Sequence, residues 1–87
     1  YQRGIEGYDK AIQLDPDFAV AYNDRGIAYY NLGENQRAIE DYGKAIQLDP
    51  DYAGAYNNRG VAYRHLGQTA KSEADYEKAC FLDSEYC

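Results

Sequence analysis

The sequence predicts an all-α chain of stacked helix pairs, and three observations carry that prediction. A unit of 34 residues recurs along the 87-residue chain. Within each unit the apolar positions fall three and four apart, the spacing of one helix face. No stretch alternates apolar and polar residues in the manner of a strand. The repeat is close: Lys10 to Asp17 recurs unchanged at Lys44 to Asp51, and residues 19–52 match 53–86 at 17 of 34 pairs. Residues 1–18 match 35–52 at 13 of 18 pairs. The chain is therefore expected to hold the second half of one unit (1–18), a complete unit (19–52) and another complete unit with the C-terminus (53–87).

The first helix is expected over about 2–14, with Ile5, Tyr8 and Ile12 on one face and a favourable Glu6/Lys10 pair four apart. Asp15-Pro16-Asp17 ends it. In the second, about 19–32, Tyr22, Gly26, Tyr29 and Leu32 form the apolar stripe, and Gly33 is the stop. Ala38, Ile39, Tyr42, Ala45 and Ile46 mark a third helix at about 36–48, ended at Asp49-Pro50 because proline restricts the residue before it. Asp51 stands where it can cap the next helix. The fourth (53–66) and fifth (70–82) repeat the second and third. Gly26 and Gly60 cost about 1 kcal/mol each relative to alanine in a helix, so close approach of the paired helices is expected there. Gly7 and Gly43 are assigned to exposed faces. The last unit departs from the pattern at Ser72, Glu73 and Ser84, which reads as a more polar terminal unit.

Nine Lys and Arg against fifteen Asp and Glu give a formal charge of −6. Phosphate neutralisation needs a basic face, so no nucleic-acid partner is expected. Nor is a membrane partner, since no apolar run approaches the roughly 20 residues of a spanning helix and anionic surfaces repel the chain. Cys80 lies in an apolar helical pattern and reads as a small core residue. Cys87 reads as exposed, either a free thiol or an intermolecular bridge. The single His65 has no companion at ligand spacing, so neither metal nor cofactor is expected. Without a phosphate loop, a nucleophile elbow or paired acids in a motif, the sequence argues against an enzyme. The chain contains no methionine, which suggests a segment of a longer protein.

The spacing Tyr22-x2-Arg25-Gly26-x2-Tyr29, Ala38-x3-Tyr42, Pro50, repeated as Tyr56-x2-Arg59-Gly60-x2-Tyr63, Ser72-x3-Tyr76, Ser84, resembles the tetratricopeptide repeat. The resemblance spans the whole chain and implies a right-handed α-solenoid of five helices whose concave groove binds peptide or protein. Arg25 and Arg59 replace the family's leucine and are expected to be structural, their stems packed and their guanidinium groups reaching water or a carboxylate, or lying against a tyrosine ring. Carried over position by position, the groove comprises Asn23, Asp24, Ile27, Tyr30 and Asn31 on one helix and Asn57, Asn58, Val61, Arg64 and His65 on the next. Asparagine amides can pair with an extended backbone without reading its side chains. Arg64 can pair with a carboxylate. Asn58→Ala and Arg64→Ala should then weaken binding with little loss of stability. One subgroup of the family grips acidic chaperone tails with Lys, Asn and Arg spread over three repeats. This sequence has no groove lysine and has Ile27 where that clamp needs Asn, which argues against such a ligand.

Self-assembly is the alternative. The orphan first helix would expose Ile5, Tyr8 and Ile12, and Phe81 stands where the earlier copies carry glutamine, so copies could associate through their ends into a homo-oligomer. Nine of the eleven tyrosines fall in repeat columns (8/42/76, 22/56, 29/63, 52/86) and read as packing. Of the other two, Tyr1 begins the chain and Tyr30 alone suggests partner contact.

Overall fold

A computed structural model describes residues 2–87, with side chains from residue 4 onward; Tyr1 lies outside it. Five helices follow one another: α1 (Gln2–Leu14), α2 (Ala19–Asn31), α3 (Asn35–Leu48), α4 (Ala53–His65) and α5 (Thr69–Leu82), then a 3-10 turn at Ser84–Tyr86. No strand occurs among the described residues. Helices α2 and α3 form one antiparallel hairpin and α4 and α5 another, while α1 packs on α2 as α3 packs on α4. The result is an α-solenoid, 32 × 25 × 18 Å.

Two devices set the helix ends. Gly33 and Gly67 take φ of 81° and 76°, a left-handed conformation that favours glycine. The Glu34 N–H then reaches back to the Tyr29 carbonyl (2.9 Å) and that of Gly33 to Tyr30 (2.9 Å), the paired bonds of a Schellman stop. At the other junctions the working aspartate differs from the one expected. Asp51 makes no side-chain cap for α4. Instead Asp15, Asp49 and Asp83 each accept the N–H two residues on, from Asp17 (3.2 Å), Asp51 (3.2 Å) and Glu85 (3.0 Å). The same turn forms in the third copy, where serine replaces proline; the carboxylate rather than the proline ring is common to all three.

The core is built from alanine, glycine and tyrosine. Ala38, Ile39, Tyr42 and Ala62 form its centre, with Tyr29, Tyr30 and Tyr63 packed around them. Among the described tyrosines only Tyr42 is fully buried (1% exposed); the other column tyrosines are half-buried, apart from the more exposed Tyr86. Close helix approach explains two glycines. A side-chain carbon on Gly26 would stand 2.6 Å from the Tyr42 ring, and one on Gly60 3.0 Å from Tyr76 and 3.2 Å from the Ser72 carbonyl. Ser72, expected to belong to a polar cap, is buried and donates its hydroxyl to the Gly60 carbonyl at 2.8 Å.

Arg25 and Arg59 are structural, through carboxylates as well as rings. Arg25 grips Asp41 with Nε (2.8 Å) and Nη2 (2.7 Å), and its Nη1 reaches Asp9 at 2.8 Å, so one guanidinium ties α1, α2 and α3. Arg59 grips Asp75 in the same forked way at 2.8 Å. Asp41 and Asp75 are buried (6% and 5% exposed), and the guanidinium groups lie over Tyr22 and Tyr56 at 5.5 and 5.6 Å. The charge-assisted bonds to these aspartates raise both guanidinium pKa values further above their ordinary range. Gly43 occupies the repeat position of Asp9. It is half-buried, contrary to the exposed placement expected, and faces Arg59, whose Nη1 would be 3.9 Å from an added side-chain carbon.

The two cysteines correct the sequence reading outright. Cys80 and Cys87 are bonded to each other, so Cys87 is neither a free thiol nor bridged to another chain. The turn at Asp83 reverses the chain and brings residue 87 back to α5.

Candidate functional site

With α3 and α5 supplying the outer layer, α2 and α4 present their remaining face together. Ile27 (37% exposed) and half-buried Val61 lie at equivalent positions of the two helices. They line a concavity of about 220 Å³ with Tyr30, Asn31, Asn58 and the ring of Tyr42. A second hollow of about 150 Å³ lies one unit earlier, lined by Gly4, Tyr8, Asp24, Ile27, Ala28 and Asn31. Its Tyr8, Asp24 and Ile27 are the repeat equivalents of Tyr42, Asn58 and Val61. The two hollows are thus one design used twice, divided by the Ile27/Asn31 ridge.

The asparagines divide into different roles. Asn23 is buried (6% exposed), and its Oδ1 accepts a hydrogen bond from Asn58 Nδ2 at 3.0 Å. That bond ties α2 to α4 across the units, so Asn23 does not offer its carbonyl to a ligand as the sequence suggested. Asn58 uses one amide hydrogen in this bond and keeps its carbonyl for the concavity it lines. Asn57 is half-buried one position before it.

Tyr30 stands edge-on to His65, ring centroids 5.3 Å apart and planes at 79°, so these two positions form one aromatic wall. Arg64 beside it is exposed in the last turn of α4. At the opposite end, Asp24 has its pKa raised, chiefly by burial and partly offset by the Asn23 side chain. The Tyr52 hydroxyl lies against Asn23 and near Asp24, and burial is the main cause of its raised pKa. Sequence reasoning assigned Tyr52 to packing alone; its place in the column just before each α2-type helix was the available signal. The groove is thus apolar along its floor, amide-lined at its centre, acidic at one end and basic at the other.

The self-association positions fare differently. Ile5 is buried (5% exposed), because α1 packs along α2 and the Asp9–Arg25 bond holds it there. It belongs to no exposed patch. Tyr8 and Ile12 are half-buried, and Phe81 is 81% exposed with Lys78 Nζ 5.4 Å from its ring centroid.

Paired antiparallel helices stacked so that alternate members line a groove define a helical-repeat interaction module, an architecture without catalytic machinery of its own. The chain belongs to the tetratricopeptide repeat family: residues 1–33 and 28–67 match the TPR repeat, and 53–86 match the tetratricopeptide repeat. Among solved structures it is similar to the first TPR of Spaghetti (RPAP3) bound to the HSP90 peptide SRMEEVD, with a TM-score of 0.90 and 31% identity over 92% of this chain and 64% of that one. It is also similar to the second TPR domain of human RPAP3 in complex with the HSP70 peptide SGPTIEEVD (TM-score 0.91, 32% identity, 97% of this chain and 70% of that). A third is the Arabidopsis OM64 TPR domain (TM-score 0.91, 31% identity, 93% and 67%). No curated protein sequence matches the chain. The chain thus spans just under two thirds of the first of these structures.

Proposed function

We propose that this chain binds an extended peptide segment of a partner protein along the concave face of α2 and α4. The observation that carries the reading is the repeated hollow. Two equivalent concavities share the Ile27/Asn31 ridge, as a groove reading successive side chains of one extended ligand requires. The RPAP3 domains bound to chaperone peptides support a peptide as the class of ligand.

The ligand differs in kind from those acidic tails. The groove carries no lysine, Ile27 replaces a clamp asparagine, and Asp24 sets a carboxylate at one end. An internal segment with small apolar residues at the two hollows suits it better, with a basic residue toward Asp24 and an acidic one toward Arg64. Selection from a displayed library of short peptides tests this. Peptides of that pattern should be recovered, and Val61→Asp and Arg64→Ala should each lower their affinity. Recovery of peptides indifferent to both substitutions, or of acidic tails alone, overturns the proposal.

A further inference from the structure

The disulfide lies outside the two hollows, but the segment it closes carries Tyr86, whose hydroxyl reaches the first turn of α4. In the interior copy the turn at Asp49 leads through Tyr52 straight into α4, and that helix holds Tyr52 in place. In the last copy the same turn forms at Asp83, with Tyr86 N–H bonded to the Asp83 carbonyl at 3.0 Å. Cys87, the next residue, is joined to Cys80 on α5. A covalent bond thus ties the turn that carries Tyr86 to α5. The Tyr86 hydroxyl stands 3.2 Å from the point where a side chain on Gly54 would begin, in the first turn of α4 and one helical turn before Asn57. The Tyr52 ring comes within 3.5 Å of the same point, so both tyrosines lie beside the first turn of α4.

We propose that Cys80–Cys87 is a thiol–disulfide switch that opens and closes the α4 end of the groove, an inference that rests on the peptide-binding reading. Oxidised, it holds Tyr86 across Gly54; reduced, it releases residues 84–87 and uncovers the first turn of α4. Cys87 is exposed and Cys80 half-buried, so the Cys87 sulfur is the accessible point of attack. An external dithiol, as thiolate, attacks that sulfur and the Cys80 thiolate leaves and takes up a proton. The second thiol of the dithiol then displaces Cys87 from the mixed disulfide. Two protein thiols and one external disulfide result, two electrons and two protons having passed to the protein. Without the disulfide this exposed segment is held by its Asp83 turn and by the contact of Tyr86 at Gly54.

Amide NMR of the labelled chain, oxidised and in excess dithiothreitol, tests the opening without any ligand. On reduction the Gly54–Asn57 amides should shift and residues 84–87 should lose protection, with α1 to α3 unchanged. The Cys80→Ser/Cys87→Ser variant should show the reduced spectrum with or without dithiothreitol. An unmoved Gly54 amide, or loss of the whole fold, overturns the switch. The library-selected peptide then tests the coupling: the reduced chain should bind at least ~5-fold more tightly, the low end of a typical coupling between linked equilibria. Tyr86→Ala with the disulfide intact should match it. Equal affinity of the two redox forms refutes the coupling even if Gly54 moves. A groove that binds no peptide in either form is instead the failure of the peptide-binding reading, and it takes the coupling with it.

Discussion

Replacing Gly26 with alanine sets two effects of known sign against each other. Alanine is the better helix former by about 1 kcal/mol, so in an open helix the change stabilises. Here the new carbon would lie 2.6 and 2.8 Å from two carbons of the Tyr42 ring, against the roughly 3.5–4.0 Å of an ordinary carbon contact. The overlap is about 1 Å, and Tyr42 is 1% exposed and boxed in by Ala38, Ile39 and Ala62, so the ring cannot swing clear. Forcing a methylene-sized group into such a core costs about 1–3 kcal/mol. With backbone shift as the only relief the upper half of that range applies, leaving a net loss of about 1–2 kcal/mol. At roughly 4–8 °C per kcal/mol for a domain of this size, the melting temperature should fall by about 5–15 °C. Gly7→Ala is the control: nothing lies within 4 Å of its new carbon and the position is exposed, so it should melt higher. Thermal melts followed by far-ultraviolet circular dichroism decide the pair. A Gly26→Ala chain that melts at or above the parent refutes close approach as the reason for the glycine.

Three further predictions follow from the buried polar groups. Arg59→Met leaves Asp75 buried without its partner and should lower stability by about 2–4 kcal/mol, somewhat below the usual cost of orphaning a buried charge because Arg59 is partly exposed; urea unfolding measures it, and Asp75→Leu added to it should restore most of the loss. Burial raises the Asp24 pKa, so the folded state disfavours its charged form above that pKa and the penalty fades as pH falls. Asp24→Asn should therefore raise the melting temperature at pH 7, with a gain that shrinks as pH approaches the ordinary aspartate value of 3.8. The Asn23–Asn58 bond changes the expectation for Asn58→Ala, which orphans a buried carbonyl and should cost about 1–3 kcal/mol of stability; Arg64→Ala should leave the melting curve unchanged.

Much of the fold was legible because duplication makes columns, and a column reports its environment twice. The helix stops at Gly33 and Gly67, the close contacts at Gly26 and Gly60 and the packing tyrosines all follow from residues recurring at a shift of 34. The Arg–Asp forks were legible in principle. Arg25 with Asp41 and Arg59 with Asp75 are duplicated intact, while Ile39, Glu40 and Gly43 near the first aspartate become Glu73, Ala74 and Glu77 near the second. What hid them is that a pairing sixteen residues apart forms only across a helical hairpin, beyond any single-helix pattern. The disulfide was hidden for a related reason. Reading Asp83 as the counterpart of Asp49 predicts the turn, but where residue 87 goes after it depends on three-dimensional reversal. Asn23 misled because burial is decided by the neighbouring unit: the same helix position is buried at Asn23 and half-buried at Asn57.

The central claim is that a peptide lies along α2 and α4, and mapping amide shifts on titration with a library-selected peptide tests it most directly. Shifts should concentrate at Ile27, Tyr30, Asn58, Val61 and Arg64, and the outer faces of α3 and α5 should stay still. Shifts centred on Phe81 and the outer face of α5, with the α2 and α4 amides unmoved, would contradict it.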